Sequence, residues 1–225
     1  MNESTGAAGA KSKQSRGTPR KSRRLGRRFF ERPAVQVARD LIGKFIVRRH
    51  RGRLISSIII ETEAYRGPDD RASRAFGGRR TGSVEALYRP AGTVYVYLVY
   101  GIHWLLNFKA ASPNKPQAVL IRGVLPTGHS NRDAVGGPGK VSRFLKVNRS
   151  LYGDDVTTSN KIWIEDRGLR VPSRLVKKGP RIGIDYAGPY WAAKPWRFRM
   201  DARTMVEIAK KTESWLKSKT LTEER

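Results

Sequence analysis

Two pairs of strand-like runs, each closed by a tight turn ending in glycine, constrain this chain more than any other feature. Residues 44–49 (KFIVRR) and 53–62 flank Arg51-Gly52, and residues 94–99 and 103–108 flank Tyr100-Gly101. Runs rich in β-branched and aromatic residues, bounded by such turns, form hairpins. A hairpin makes its strands antiparallel neighbours. Further strand-like runs occupy 118–125, 161–165, 181–184 and 196–200. Helical spacing covers 33–42, where Pro33 suits a first helical position and Gly43 a stop, and recurs at 141–147 and 205–217. Residues 67–70 read as a turn, 71–92 as a surface loop with one short helix, and 166–180 as a Pro/Lys loop. Strands outnumber helices. The expected fold class is α+β: a single domain with a curved, mostly antiparallel β-sheet flanked by helices and a protruding β-hairpin.

The charge says what such a domain meets. The 225 residues hold 46 Lys/Arg against 19 Asp/Glu, a formal net charge of +27. Residues 1–28 contain nine Lys/Arg and one acid, Glu3, with no apolar periodicity, and are expected to be a disordered basic tail. Residues 29–217 form the expected domain and 218–225 a charged C-terminal tail. The part beyond residue 28 is itself basic, with 37 Lys/Arg against 18 acids. A field of that sign points to nucleic acid, whose phosphates give affinity through counterion release. A ribosomal or membrane-surface protein is the alternative. Absence of cysteine excludes disulfides and thiolate metal sites, and three scattered histidines (His50, His103, His129) make a poor metal site. No run of about 18 apolar residues offers a membrane span, and no apolar leader is visible. The expected location is intracellular: cytoplasm or nucleoid in a prokaryote, nucleus in a eukaryote.

Carboxylates repel a polyanion, so Glu61 and Glu63, at the end of the Ile58-Ile59-Ile60 run, need a reason. Strand alternation puts Ile59, Glu61, Glu63 and Tyr65 on one face, with the two carboxylates about 7 Å apart. Burial would raise the pKa of one and suit it to acid or base work. Equally, both could flank a strand end and pair with arginine. Arg122, alone on the apolar strand 118–125, would find its partner in Glu63 or Glu61. Two carboxylates also suit a glycoside hydrolase, although the charge fits an uncharged sugar poorly.

Tyr95, Tyr97 and Tyr100 crowd the second hairpin. Tyr95 and Tyr97 share a face. Tyr100, at the tip, could wedge into a base stack. Rings on a pocket wall could sandwich a base, or they could simply fill the pleat. Gly136-Gly137-Pro138-Gly139-Lys140 lacks Walker spacing, so it is a turn or a backbone contact to phosphate.

From residue 29 to about residue 200 these segments resemble the alkyladenine DNA glycosylase family, also called 3-methyladenine DNA glycosylase of the alkylpurine type. The resemblance rests on Glu61-Thr62-Glu63-Ala64-Tyr65 with Gly67-Pro68, then Gly92-Thr93-Val94-Tyr95-Val96-Tyr97, then Tyr100-Gly101 with Asn107. Leu120-Ile121-Arg122-Gly123, Gly137-Pro138-Gly139-Lys140 and Arg181-Ile182-Gly183 follow in the family's order. The resemblance implies a monofunctional enzyme that flips damaged purines (alkylated, deaminated or etheno bases) out of double-stranded DNA and hydrolyses the N-glycosidic bond, leaving an abasic site. It implies Glu63 as general base on a water, with Arg122 and the Ile182 carbonyl holding that water. Tyr65 and Tyr97 match base-stacking rings, Tyr100 the intercalating wedge, and Asn107 the residue that crowds the 2-amino group of guanine. It implies no cofactor and no metal, and a monomer.

Two positions depart from the family's pattern. Ala72-Ser73 is followed by Arg74 where a histidine is usual, so Arg74 takes its place beside the base. A cation there opposes an already cationic alkylated base and shifts preference toward neutral lesions such as hypoxanthine or ethenoadenine. Thr81-Gly82-Ser83-Val84 replaces a Thr-Pro-Arg-Asn sequence, and Arg79 and Arg80, with Lys140, are left as the expected phosphate contacts. The alternative function is a non-catalytic basic DNA/RNA-binding paralogue, which would need neither Glu63 nor Arg122.

Overall fold

The computed structural model describes residues 22–128 and 133–212. In chain order the elements are β1 (Arg23–Arg24), α1 (Arg27–Phe30), α2 (Ala34–Asp40), β2 (Phe45–His50), β3 (Arg53–Tyr65), β4 (Val94–Val99), β5 (His103–Ala110) and β6 (Gln117–Pro126). They continue with β7 (Val135–Gly136), α3 (Pro138–Phe144), β8 (Ile162–Asp166), β9 (Lys177–Gly179), α4 (Pro189–Ala192), β10 (Arg197–Arg199) and α5 (Ala202–Lys210). The strands curl into one antiparallel sheet in the order β1-β8-β2-β3-β6-β5-β4, with β10 on the distal half of β3, β9 on β10 and β7 on β6. This is the expected α+β arrangement, and both hairpins lie where the turns place them.

The central strand is β3. Its first half pairs with β2, its second half with β10, and most of its length with β6. The isoleucine run Ile58-Ile59-Ile60 is buried in the main core with Phe45, Ile46, Leu106, Phe108, Ile121 and Val124. Beyond it, Thr62 donates its hydroxyl to the Ala38 carbonyl at 2.7 Å and so ties the strand to α2. That bond fixes the opposite face of β3, the one bearing Glu61 and Glu63, away from the helix. At Tyr100-Gly101 both residues adopt positive φ (53° and 70°), as a tight reversal requires. Tyr100 is left 89% exposed.

Simple alternation along β3 fails at one place. The pairing of β3 with β6 shifts twice, leaving Ile60 extra on β3 and Arg122 extra on β6. Such paired bulges bend the strands and re-aim side chains. Gly123 faces Glu61 at this point, where an added Cβ would lie 2.8 Å from the Glu61 Cβ. Only glycine lets the two backbones approach this closely.

Several expected boundaries are corrected. The tail does not extend to residue 28: Arg23–Arg24 pairs with β8, α1 begins at Arg27, and Leu25 is buried. The basic residues there are partnered, Arg24 over the Trp163 ring and Arg27 on Asp155 and the Ala91 carbonyl. Residues 181–184 are not a strand but a turn segment, and the strand is β9, inside the expected loop 166–180. The loop 71–92 carries two short 3-10 turns, Phe76–Gly78 and Glu85–Leu87. The last helix starts earlier than expected because Asp201 caps it, its carboxylate accepting from the Thr204 N–H. Residues 213–217 and the expected tail 218–225 lie outside the described residues, as do residues 1–21.

Candidate active site

Cross-strand register builds the site. Glu63 on β3 faces Leu120 on β6, which faces Asn107 on β5, which faces Tyr95 on β4. Directly opposed residues project to the same side of a sheet. One row therefore sets the buried carboxylate, the amide and the tyrosines of β4 on a common face. Tyr95 and Tyr97 stack there at 5.2 Å between centroids.

Glu63 is fully buried and held from three directions. The Ile182 N–H donates to its Oε1 at 2.8 Å, and the Tyr65 hydroxyl donates to its Oε2 at 2.9 Å. The third is Arg122, whose Nε lies 3.4 Å from Glu63 Oε1 and 3.5 Å from Glu61 Oε1. Arg122 Nε makes no hydrogen bond among the described residues despite its burial. The two carboxylates that spacing left level are thus in different states. Glu61 is partly exposed and shared between Arg122 and Arg197, whose Nη1 is 3.2 Å away. Burial pushes the Glu63 carboxyl above the usual carboxylate range, and the Arg122 cation, the Ile182 amide and the Tyr65 hydroxyl pull it back.

The tyrosines around it stay protonated. Burial, with Glu63 beside it, raises the Tyr65 hydroxyl well above its ordinary value, so this group is a donor to the carboxylate. Burial likewise pushes Tyr97 up to about 12, against the pull of the Arg74 cation. Arg74 is exposed and lays its guanidinium over the Tyr97 ring, 4.6 Å from the centroid. Next to it opens a cavity of about 430 Å³ lined by Arg71, Ser73, Arg74, Arg79, Thr81 and Tyr186, among others.

Asn107 is buried in the row, and its Nδ2 reaches the Tyr95 and Leu105 carbonyls, both at 3.3 Å. Tyr100 stands apart from the pocket at the hairpin tip, with exposed Ile102 beside it. Of the expected phosphate contacts, Lys140 is exposed on α3 and Arg79 is exposed without an ion pair among the described residues. Arg80 is committed elsewhere, through a bidentate pair with Glu85 and a stack over Tyr88.

Sequence reasoning missed Asp70 and Tyr186, and it quoted Arg181 only within a motif. Asp70 and Arg181 form a buried bidentate ion pair, and Arg181 also donates to the Ala64 carbonyl and covers the Tyr65 ring. Asp70 accepts from the Arg66 and Ala72 N–H groups as well. Tyr186 donates to the Ala72 carbonyl at 3.3 Å and walls the Arg74 cavity. The Asp70 signal was present as a turn carboxylate in Gly67-Pro68-Asp69-Asp70, but its partner lies 111 residues away. No group of His, Cys, Asp and Glu among the described residues is arranged to hold a metal ion.

A buried carboxylate set against arginine, on the same sheet face as paired tyrosines and in a basic scaffold, is an arrangement suited to an enzyme acting on nucleic acid. Comparison gives the class its family. Residues 28–204 match the family model described as methylpurine-DNA glycosylase (MPG). A Desulfitobacterium hafniense protein provisionally named 3-methyladenine DNA glycosylase is 37% identical over 207 residues, covering 83% of this chain and 99% of its own. A Psychrobacter cryohalolentis protein of the same provisional name is 41% identical over 192 residues, covering 76% and 88% respectively. One from Natranaerobius thermophilus is 36% identical over 198 residues, covering 82% and 99%. The chain belongs to the methylpurine-DNA glycosylase family and is a DNA glycosylase of base excision repair. No helix among the described residues is long and apolar enough to cross a membrane.

Proposed function

We propose that this glycosylase removes damaged purines from duplex DNA by base flipping and attack of a water activated by Glu63. The observation that carries the reading is the Glu63 carboxylate: buried, raised in pKa, and still within reach of the Arg122 cation, the Ile182 amide and the Tyr65 hydroxyl. A general base needs a pKa near working pH and a fixed orientation. Burial moves the Glu63 pKa in that direction, and the three neighbours fix its orientation.

In this mechanism Tyr100 enters the duplex as the target nucleotide leaves it, a wedge of the kind that compensates unstacking. Its exposure at a tight two-residue turn supports the role. The flipped base stacks against Tyr65 and Tyr97, with Arg74 at the mouth and Asn107 crowding a 2-amino group. Glu63 takes a proton from water, the water oxygen bonds to C1′, and the bond from C1′ to the base nitrogen breaks. The negative charge of Glu63 also favours the oxocarbenium character of that transition state. Arg122 Nε, a buried donor without a hydrogen bond, and the Ile182 carbonyl hold the water. A cationic alkylated base departs as a neutral purine. A neutral base gains negative charge as it departs, and the Arg74 guanidinium over Tyr97 is placed to stabilise it. Lys140 and Arg79 contact phosphates, and one chain carries the whole site, acting as a monomer.

The test is excision from a duplex carrying a single hypoxanthine, ethenoadenine or methylated purine, followed by alkaline cleavage. Alkali-labile sites at the lesion are expected. Duplex binding without any such site on all three substrates would favour the non-catalytic paralogue.

A further inference from the structure

A second cavity, of about 360 Å³, lies at the root of the exposed hairpin. It is lined by His50, His103, Ser142, Arg143 and Lys146, with Ile102 and Trp104 toward the tip. Nothing in the proposed chemistry uses it. Its chemistry is one-sided: two imidazoles and two exposed cations, and no carboxylate in the lining. Neither Arg143 nor Lys146 makes an ion pair among the described residues. Burial, and after it the Arg48, Arg51 and Lys146 cations, disfavours the protonated form of His50.

The wall also contains a buried serine. Ser142 is 1% exposed, and its hydroxyl has no hydrogen-bond partner among the described residues. A buried hydroxyl left unpaired costs free energy, and this one belongs to a residue of the cavity wall. His103 packs on Gly139, where an added Cβ would lie 3.1 Å from the imidazole, so β5 and α3 meet closely.

We infer that this cavity is a phosphate-binding subsite, which seats one backbone phosphate of the duplex beside the point where the Tyr100–Ile102 tip enters. The inference rests on the duplex-docking part of the proposed function. A phosphate there accepts from Arg143 and Lys146, and neutralises a positive field for which the cavity lining holds no carboxylate. It also fixes the hairpin root while the tip is inserted, since His103 and Trp104 open β5 and continue from Ile102. Phosphate contacts position a protein on its duplex without reading sequence.

The experiment measures affinity of the full chain for an undamaged duplex against salt concentration. The double variant Arg143→Ala/Lys146→Ala changes exposed side chains only and keeps the fold. Its slope of log affinity on log salt should shrink by about one unit for each phosphate that is no longer neutralised. A control with the same change of charge outside the lining, Arg203→Ala/Lys210→Ala on α5, should leave the slope in place. Replacing single phosphates near the wedge by neutral methylphosphonates should weaken wild type at one position and leave the double variant unaffected there. Inorganic phosphate provides the other arm. If it shifts the His50 and His103 imidazole resonances and no methylphosphonate position discriminates, the site takes free phosphate and the assignment to duplex backbone is overturned. Equal slopes for wild type and the double variant, or an equal drop in the α5 control, also overturn it. Failure of excision with these binding differences intact would count against the proposed chemistry alone.

Discussion

Asp70 and Arg181 close a buried ion pair, at 2.5 Å and 2.9 Å, that joins the loop after β3 to the segment carrying Ile182. The pair itself touches no expected reacting atom. It sets the two neighbours that do the holding: Arg181 covers the Tyr65 ring, and the next residue donates its N–H to Glu63. Removing one partner of such a pair leaves an uncompensated buried charge.

Arg181→Met should therefore destabilise the protein by roughly 3–5 kcal/mol, measured by urea unfolding. If the fold survives, the excision rate should fall at every pH and its acid limb should rise, because the Ile182 amide no longer favours ionised Glu63. Wild-type stability in the variant would contradict the structure at this pair.

Tyr65→Phe keeps the ring and deletes one hydrogen bond to Glu63. That bond holds the carboxyl down, so the acid limb of single-turnover excision should move up by roughly half to one pH unit. The limb of the wild type should already lie above the ordinary carboxylate range, since burial is the largest effect on Glu63. An unmoved limb would separate Tyr65 from the base.

The same shift makes a stability claim with a definite sign. Folding raises the Glu63 pKa, so the folded state holds its proton more tightly than the unfolded chain. The stability this contributes is complete below the unfolded value of about 4.3 and is lost as pH rises through the folded value. Glu63→Gln removes the dependence. The melting temperature of the variant minus that of wild type should grow as pH rises from about 4, and a constant difference would rule the linkage out.

Arg74→His tests lesion choice. With the guanidinium over Tyr97 replaced by a group that can be neutral, excision of 7-methylpurines should gain relative to hypoxanthine by several-fold. An unchanged ratio would remove Arg74 from the determinants of specificity.

Much of this architecture was legible because it is local. Hairpin turns at Arg51-Gly52 and Tyr100-Gly101 fix register over a few residues and set Asn107 opposite Tyr95, whereas Glu63 joins that row only through the non-local pairing of β3 with β6. What stayed hidden depends on distant contacts. The bulges at Ile60 and Arg122 leave no mark in the sequence, because each lies in an apolar run, Ile58-Ile59-Ile60 and residues 118–125, where an extra residue does not change the pattern. Strand β9 is only Lys177–Gly179 and reads as loop, since its pairing with β10 supplies what its composition does not. Residues 181–184 look strand-like for the opposite reason: Arg181 is buried by Asp70, not by a ladder. The basic stretch after residue 22 looked disordered from its charge, while its partners Trp163 and Asp155 lie far along the chain.

The central claim is that Glu63 performs the chemistry and the surrounding charge only delivers DNA. It is tested most directly by Glu63→Gln under single-turnover conditions, on a duplex carrying one hypoxanthine, with affinity for the same duplex measured in parallel. The abasic product should fall by at least a hundredfold, in keeping with the roughly 10²–10⁴-fold contribution of a general base, with affinity within a few-fold of wild type. Excision by Glu63→Gln at close to the wild-type rate would contradict it.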